Sequence, residues 1–310
     1  MNRLPLAMAL LLAGCTATQQ RHLVEVPRLE TTPEAGPGRV LFDFSAPDAA
    51  QAWKPYVIEG SVNPPVCALV DGALCVTSDR SAGLFWHAVN FRPEAEPLLC
   101  WRWKVSGHLP DATPLSPELD NFPARVLVGF DSGWEGADGT ALTWRRKVED
   151  HTGVTPPARC ICYTFGGREP SANAIDAAFG QGRIVVINLR TPASAAGMWH
   201  EEVRDLAADY EAVFGEPAPA VATLALASDS HRVGGCVSAW FDDFVLHGPE
   251  ARQAFAGRLA PVHERMGPPL WRWAAALGGA AAGLCLAGWL WVRRASRRAS
   301  RRPGPDSAAQ

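Results

Sequence analysis

Along most of the chain, apolar residues come in short runs that alternate with polar ones or stop at Gly, Pro and Asp. From Arg39 onward these runs read as strands over 40–44, 66–70, 73–76, 84–91 and 99–105, then over 126–130, 141–144, 161–165, 184–189, 222–227 and 237–246. One stretch changes period. Across 199–214, Val203, Leu206, Ala207, Tyr210, Val213 and Phe214 recur at helical spacing, and Gly215 follows where a C-capping glycine belongs. Many short strands and one helix predict a mainly β domain over 39–248, an antiparallel, jelly-roll-like β-sandwich with one packed helix.

The two ends carry other patterns. Arg3, the apolar run 4–12 and Ala13-Gly14-Cys15 read as a signal peptide over 1–15. Leu12-Ala13-Gly14-Cys15 also resembles a bacterial lipobox, which makes Cys15 the lipidation candidate; cleavage without acylation fits the same small residues. Residues 16–38 are polar and rich in Pro and Glu, as a tether would be, and 249–269 reads as a stalk. Residues 270–292 contain a single charge, Arg272, with Trp271 and Trp273 at one end and Trp289 and Trp291 at the other. About 20 apolar residues cross a hydrocarbon core, so this is an expected C-terminal transmembrane helix with aromatic belts. The tail 293–310 opens with three Arg-Arg pairs. By the positive-inside rule it is cytoplasmic and in contact with membrane lipids, and the main domain faces the periplasm or cell exterior from the cytoplasmic membrane.

Charge and cysteine usage sharpen this picture. The formal charge of −3 becomes −9 without the six tail arginines, so the exported part is acidic and has no footprint for nucleic acid. Six cysteines fall between the end segments, and an exported chain permits disulfides. Cys67 and Cys75 lie symmetrically about Val70-Asp71-Gly72; a three-residue hairpin loop there would set them opposite each other, making them the disulfide candidate. Cys160 and Cys162 lack a second ligand pair, so no zinc site is expected.

No GxSxG, HExxH, GxGxxG or Walker-type loop occurs, and nothing nominates a catalytic pair or a cofactor. Four stretches remain as candidate ligand contacts. In 99–105, alternation puts Trp101 and Trp103 on one face and Arg102 and Lys104 on the other; the indoles read as core or as a sugar-stacking platform. Asp120 and Arg125 flank the start of a strand, where Arg125 either fixes a polar ligand or pairs with an acid. Glu202 and Arg204 lie in the expected first turns of the helix, where acids also suit the dipole. Asp229 precedes a loop, and Asp242 and Asp243 follow on the last strand. Period two sends these last two to opposite faces unless a bulge re-aims one, and a buried carboxylate there needs an Arg partner, backbone donors or a structural calcium ion.

Taken in order, these stretches resemble the bacterial domain-of-unknown-function family numbered 3047. The family's Leu-x-Trp-x-Trp-Lys-Val strand is matched by 99–105 and its Asp-Asp-Phe/Tyr-Ala-Ala-Arg-Val segment by 120–126. Its Ile-x-Tyr-Val-Trp strand is matched by 161–165, and its Trp-x-x-Glu-x-Arg-Asn run by Trp199, Glu202, Arg204 and Asp205. Its final Asp-rich loop and strand correspond to 228–231 and 240–244. Phe165 stands where the family has Trp, Asp205 where it has Asn, and Ser230 and His231 replace polar loop residues. The resemblance implies an exported β-sandwich similar to carbohydrate-binding modules, with no established activity. The expected function is therefore non-catalytic binding of a glycan or another polar envelope ligand. A structural or assembly role, and a divergent glycan hydrolase, are the alternatives.

Overall fold

The computed structural model describes residues 35–57, 63–177, 182–263 and 265–266. Cys15, the segment 270–292 and the basic tail lie outside the described residues, so the expected lipid anchor and membrane span do too. Among the described residues no helix is long and apolar enough to cross a membrane.

Two sheets face each other in a sandwich-like arrangement. The first runs β11 (His200–Asp205), β6 (Leu98–Val105), β13 (Cys236–His247), β4 (Ala73–Asp79) and β3 (Val66–Val70), with β1 (Arg39–Phe42) also pairing on β13. The second runs β14 (Arg265–Met266), β9 (Ala174–Asp176), β10 (Ile184–Arg190), β8 (Arg159–Phe165), β7 (Ala124–Phe130), β12 (Val221–Ala227), β5 (Gly83–Phe91) and β2 (Lys54–Val57). Pairing is antiparallel except for β10 on β8 and β14 on β9, so the expected wholly antiparallel fold does not hold. The parallel β8–β10 pair becomes possible because β9 and the turns around it carry the chain back between them.

The core follows from alternation. In β6, Leu99, Trp101, Trp103 and Val105 point between the sheets, and all four are fully buried. The two indoles meet edge to face at 5.6 Å; Trp101 also lies 5.5 Å from Tyr163, and Trp103 5.5 Å from Phe165 of the second sheet. Packing of this kind adds to the gain from burial alone.

Two elements differ from the expected ones. Residues 141–144, expected as strand, belong to helix α1 (Gly139–Thr152). Asp138 caps it by accepting from Ala141 N, and Gly153 closes it at φ 71°. Its apolar residues Ala141, Trp144 and Val148 are spaced for a helix, which outweighs their short strand-like run. The helix expected over 199–214 is split: β11 holds 200–205, and helix α2 (Leu206–Phe214) begins after the Asp205 N-cap. Pairing with β6 wins over helical spacing here, because it buries Glu202 and Arg204 against partners while completing the sheet edge.

The run from Pro249 was expected to be a stalk, yet it packs back onto the first sheet. Ala251 and Phe255 are buried with Leu98, Cys100 and Val203. Arg252 pairs with Asp205, Arg258 with Glu201, and Arg204 donates to the Ala260 carbonyl at 2.7 Å.

The expected Cys67–Cys75 disulfide is absent, and both thiols are free. Val70 pairs with Ala73, so the loop is Asp71-Gly72 alone, with φ 54° and 74°. Those two positive values suit a two-residue type I′ turn. Compared with a three-residue loop, the register moves by one: Cys67 faces Val76 and Cys75 faces Ala68, on opposite sides of the sheet. Burial pushes the Cys67 thiol up to about 12 and Cys75 to about 11, so neither is a ready nucleophile.

At the sandwich edge Arg204 grips Asp209 with two bonds, Nη2 to Oδ1 at 2.5 Å and Nε to Oδ2 at 2.9 Å. The Tyr163 hydroxyl from the second sheet donates to the same Oδ2 at 2.6 Å. Asp209→Ala is expected to cost about 3–5 kcal/mol in urea unfolding, because it leaves a buried guanidinium unpaired. The double variant Arg204→Met, Asp209→Leu should recover much of that loss; a single-variant cost under about 1 kcal/mol would contradict this account.

Candidate functional site

The outward residues of the first sheet form ordered rows. Register aligns Ala68, Cys75, Trp240 and Lys104 across β3, β4, β13 and β6. Trp199 immediately precedes His200, the partner of Trp103, and so extends the row past Lys104. The next row holds Asp242, Arg102 and Glu201.

Lys104 is the centre of the first row. Its ammonium lies 4.9 Å from the ring centroids of both Trp199 and Trp240, and the Arg102 guanidinium lies 4.6 Å from Trp199. Lys104 is 7% exposed, whereas the two indoles stay partly open. Among the described residues its ammonium makes no hydrogen bond and no ion pair; the ring faces are its contacts. Burial pushes it below the ordinary lysine range, opposed by the nearby negative charge of Asp71.

Asp242 and Asp243 meet on Arg102. Here β13 slips its register against β6, and Asp243 takes φ 52°. The resulting bulge turns both carboxylates to one side, with Asp242 Oδ2 2.7 Å from Arg102 Nη2 and Asp243 Oδ2 2.9 Å from Nε. A non-glycine residue in this conformation costs about 1–2 kcal/mol, which the shared guanidinium offsets. The Asp242 Oδ1 atom is buried without a hydrogen-bond partner.

The other sequence candidates lie elsewhere. Trp101 and Trp103 are 0% exposed and build the core, so a sugar-stacking platform at these two positions is ruled out. Glu202 sits at the sandwich edge, accepting from Trp103 Nε1 at 2.8 Å and from Arg190 Nε at 2.6 Å. Arg204 is the Asp209 partner described above.

Asp120, Arg125 and Asp229 form a buried cluster at the loop end of β7 and β12. Arg125 donates to Asp229 Oδ2 at 2.8 Å and to Asp120 Oδ1 at 2.9 Å, and Phe122 N donates to Asp229 Oδ1 at 3.1 Å. In the same loops Asn121 Nδ2, Ser228 Oγ and His231 Nδ1 are buried without partners. Burial pushes the Asp229 carboxyl up to about 6; Arg125 opposes the rise, and the negative charge of Asp120 adds to it.

Residues 52–245 match the family described as Protein of unknown function (DUF3047). The chain belongs to this family. No curated protein matches it. Among solved structures, it is 8% identical to the xyloglucanase domain of NopAA, a type three effector from Sinorhizobium fredii in complex with cellobiose, over 63% of this chain and 92% of that one, at a TM-score of 0.34. It is 13% identical to a protein of unknown function with a galectin-like fold from Bacillus subtilis, over 68% and 96%, at 0.29. Its identity to the K2 cleaved adhesin domain of Lys-gingipain is 10%, over 63% and 90%, at 0.27. At these scores none of the three bears on function.

Among the described residues no group of three or more His, Cys, Asp or Glu side chains is gathered as a metal site requires. Trp199, Trp240, Arg102 and Lys104 are site residues that sequence reasoning did not nominate, although alternation had set Arg102 and Lys104 on the face opposite the core indoles. Period two in β13 places Trp240 on the face of Asp242, and that was the available signal.

The raised Asp229 carboxyl has a consequence for stability. An acid that holds its proton more tightly folded than unfolded loses stability as pH rises from its ordinary 3.8 to about 6. The stability advantage of the wild type over Asp229→Asn should therefore shrink, by up to about 3 kcal/mol, between pH 4 and 7. Urea unfolding across that range checks it, and an advantage that grows with pH would contradict it.

Proposed function

We propose that this chain is a non-catalytic, envelope-facing binding protein that takes a glycan on the outer face of its first sheet. The observation that carries this reading is the row Trp199–Lys104–Trp240 beside Arg102: two partly open indoles flanking polar, charged groups. Sugar rings present an apolar C–H face and a polar rim, and an indole beside hydrogen-bonding groups complements both. The arrangement favours binding over hydrolysis. Asp242 and Asp243 both pair with Arg102, whereas glycoside hydrolysis uses two carboxyl groups about 5–10 Å apart on either side of a scissile bond.

The same reading places the domain at the cytoplasmic membrane, held by acylated Cys15 and by the apolar segment 270–292, with the basic tail in the cytoplasm. The signal-like N-terminus and the arginines following 292 support it. A labelled fatty acid fed to expressing cells should mark the wild type and not Cys15→Ser; equal labelling of both would overturn the lipid anchor.

Glycan binding is tested with the full chain in detergent on an array of plant, bacterial and peptidoglycan oligosaccharides, followed by titration calorimetry. Trp199→Ala and Trp240→Ala should each weaken binding by about tenfold or more, with Trp199→Phe and Trp240→Phe retaining most of it. Thermal unfolding checks that the variants stay folded. An empty array, or alanine variants that bind as the wild type does, would overturn this function.

A further inference from the structure

We infer that the ligand of this face carries a carboxylate, so that the site takes an acidic glycan, one containing uronic acid or another carboxylated sugar, rather than a neutral one. This deepens the glycan reading above and rests on it. The cations of the face are not equivalent. Arg102 is matched by Asp242 and Asp243 at 2.7 and 2.9 Å. Glu201, in the next row, is matched by Arg258 at 3.2 Å. Lys104 is 93% buried and has no carboxylate within ion-pair distance among the described residues. Lys104 is therefore the cation of this face that no carboxylate contacts directly, while Asp242 and Asp243 share the single charge of Arg102.

The surroundings make that charge effective. The two ring faces attract the ammonium electrostatically, but a cation–π contact accepts no N–H bond. All three of its donors are left without an acceptor among the described residues. A carboxylate brought by the ligand would supply the missing acceptors through a charge-assisted bond to a largely buried side chain. The groups around it point the same way. Cys75 lies beside Trp240 in the row with its thiol pushed up to about 11, so it stays neutral and supplies no counter-charge. Asp71, at the hairpin tip, is exposed and opposes the burial effect from a distance without an ion pair to Lys104. Trp199 and Trp240 then hold the sugar ring on either side of the point where its carboxylate docks.

The test compares uronic-acid oligosaccharides, galacturonic and glucuronic, with the neutral oligosaccharides made by reducing their carboxyl groups, titrated into the full chain in detergent. The acidic member of a pair should bind at least about tenfold tighter than its reduced partner. Lys104→Gln should bring the two to within about twofold, whereas Lys104→Arg, which keeps the charge, should preserve the preference. Thermal unfolding of both variants verifies that the sheet is intact. If reduced and acidic oligosaccharides bind equally, or if Lys104→Gln keeps the preference, the carboxylate inference fails while glycan binding stands. If neither series binds and the wider array is also empty, the glycan reading itself fails.

Discussion

Strand β6 lies between β11 and β13, and its period of two ties the core to the outer face. Leu99, Trp101, Trp103 and Val105 turn inward, so Cys100, Arg102 and Lys104 must turn outward. A slip of one residue would bring two cations between the sheets and expose two indoles, at a desolvation cost no local contact could offset. The buried tryptophans thus fix the register, and the register fixes Lys104 opposite Trp240 and Arg102 opposite Asp242. The outer site is a consequence of the packing of the inner one. Sheet pairing sets Trp240 opposite Lys104, and the loop residue Trp199 is carried to the other side of β6 by the start of β11 at His200.

Much of this was legible along the chain, and the rest was hidden for identifiable reasons. Alternation in 99–105 revealed the two faces of β6, and the Asp242-Asp243 pair announced either a bulge or a conflict. It could not reveal that the partner was Arg102, 140 residues away, because cross-strand neighbours depend on sheet order. The hairpin at Asp71-Gly72 was evident from its turn residues, but its loop length was misjudged by one, and one residue is enough to reverse the facing of Cys67 and Cys75. Trp199 was hidden by a rival pattern. Val203, Leu206 and Tyr210 share a helical spacing that continues back through β11, although Asp205 stands between them as a capping residue. The two elements share a stretch of sequence whose apolar residues fit both periods, and only pairing with β6 decides between them.

The run after Pro249 shows the same limit from another side. Its Pro, Gly and charged residues read as a stalk, yet Ala251 and Phe255, four apart, bury together against Cys100 and Val203. This segment covers the end of the outer face nearest Leu98 and leaves the end nearest Lys104 to the two indoles. Arg258 on Glu201 and Arg252 on Asp205 hold it there. The open part of the face is therefore bounded by the chain's own return, which restricts the site to the Trp199–Trp240 row and its neighbours.

The charged pairs in this fold divide into two kinds, and the division bears on function. Arg204 with Asp209, and Arg125 with Asp120 and Asp229, are sealed sets whose donors and acceptors answer one another within the protein. Breaking them is costly, but they present nothing outward, so their contribution is to the uniqueness of the packing at the sandwich edge and loop end. Lys104 belongs to the other kind. Its stem is buried by the sheet, its charge lies against two rings, and among the described residues no acceptor completes it. An apolar residue of the same length between the same indoles would lose the cation–π attraction, about 2 kcal/mol when desolvated, but would also avoid the cost of taking an ammonium out of water. Stability alone therefore gives little reason for a charge at this point. The unfilled donors of Lys104 gain most when an anion binds beside the two partly open rings.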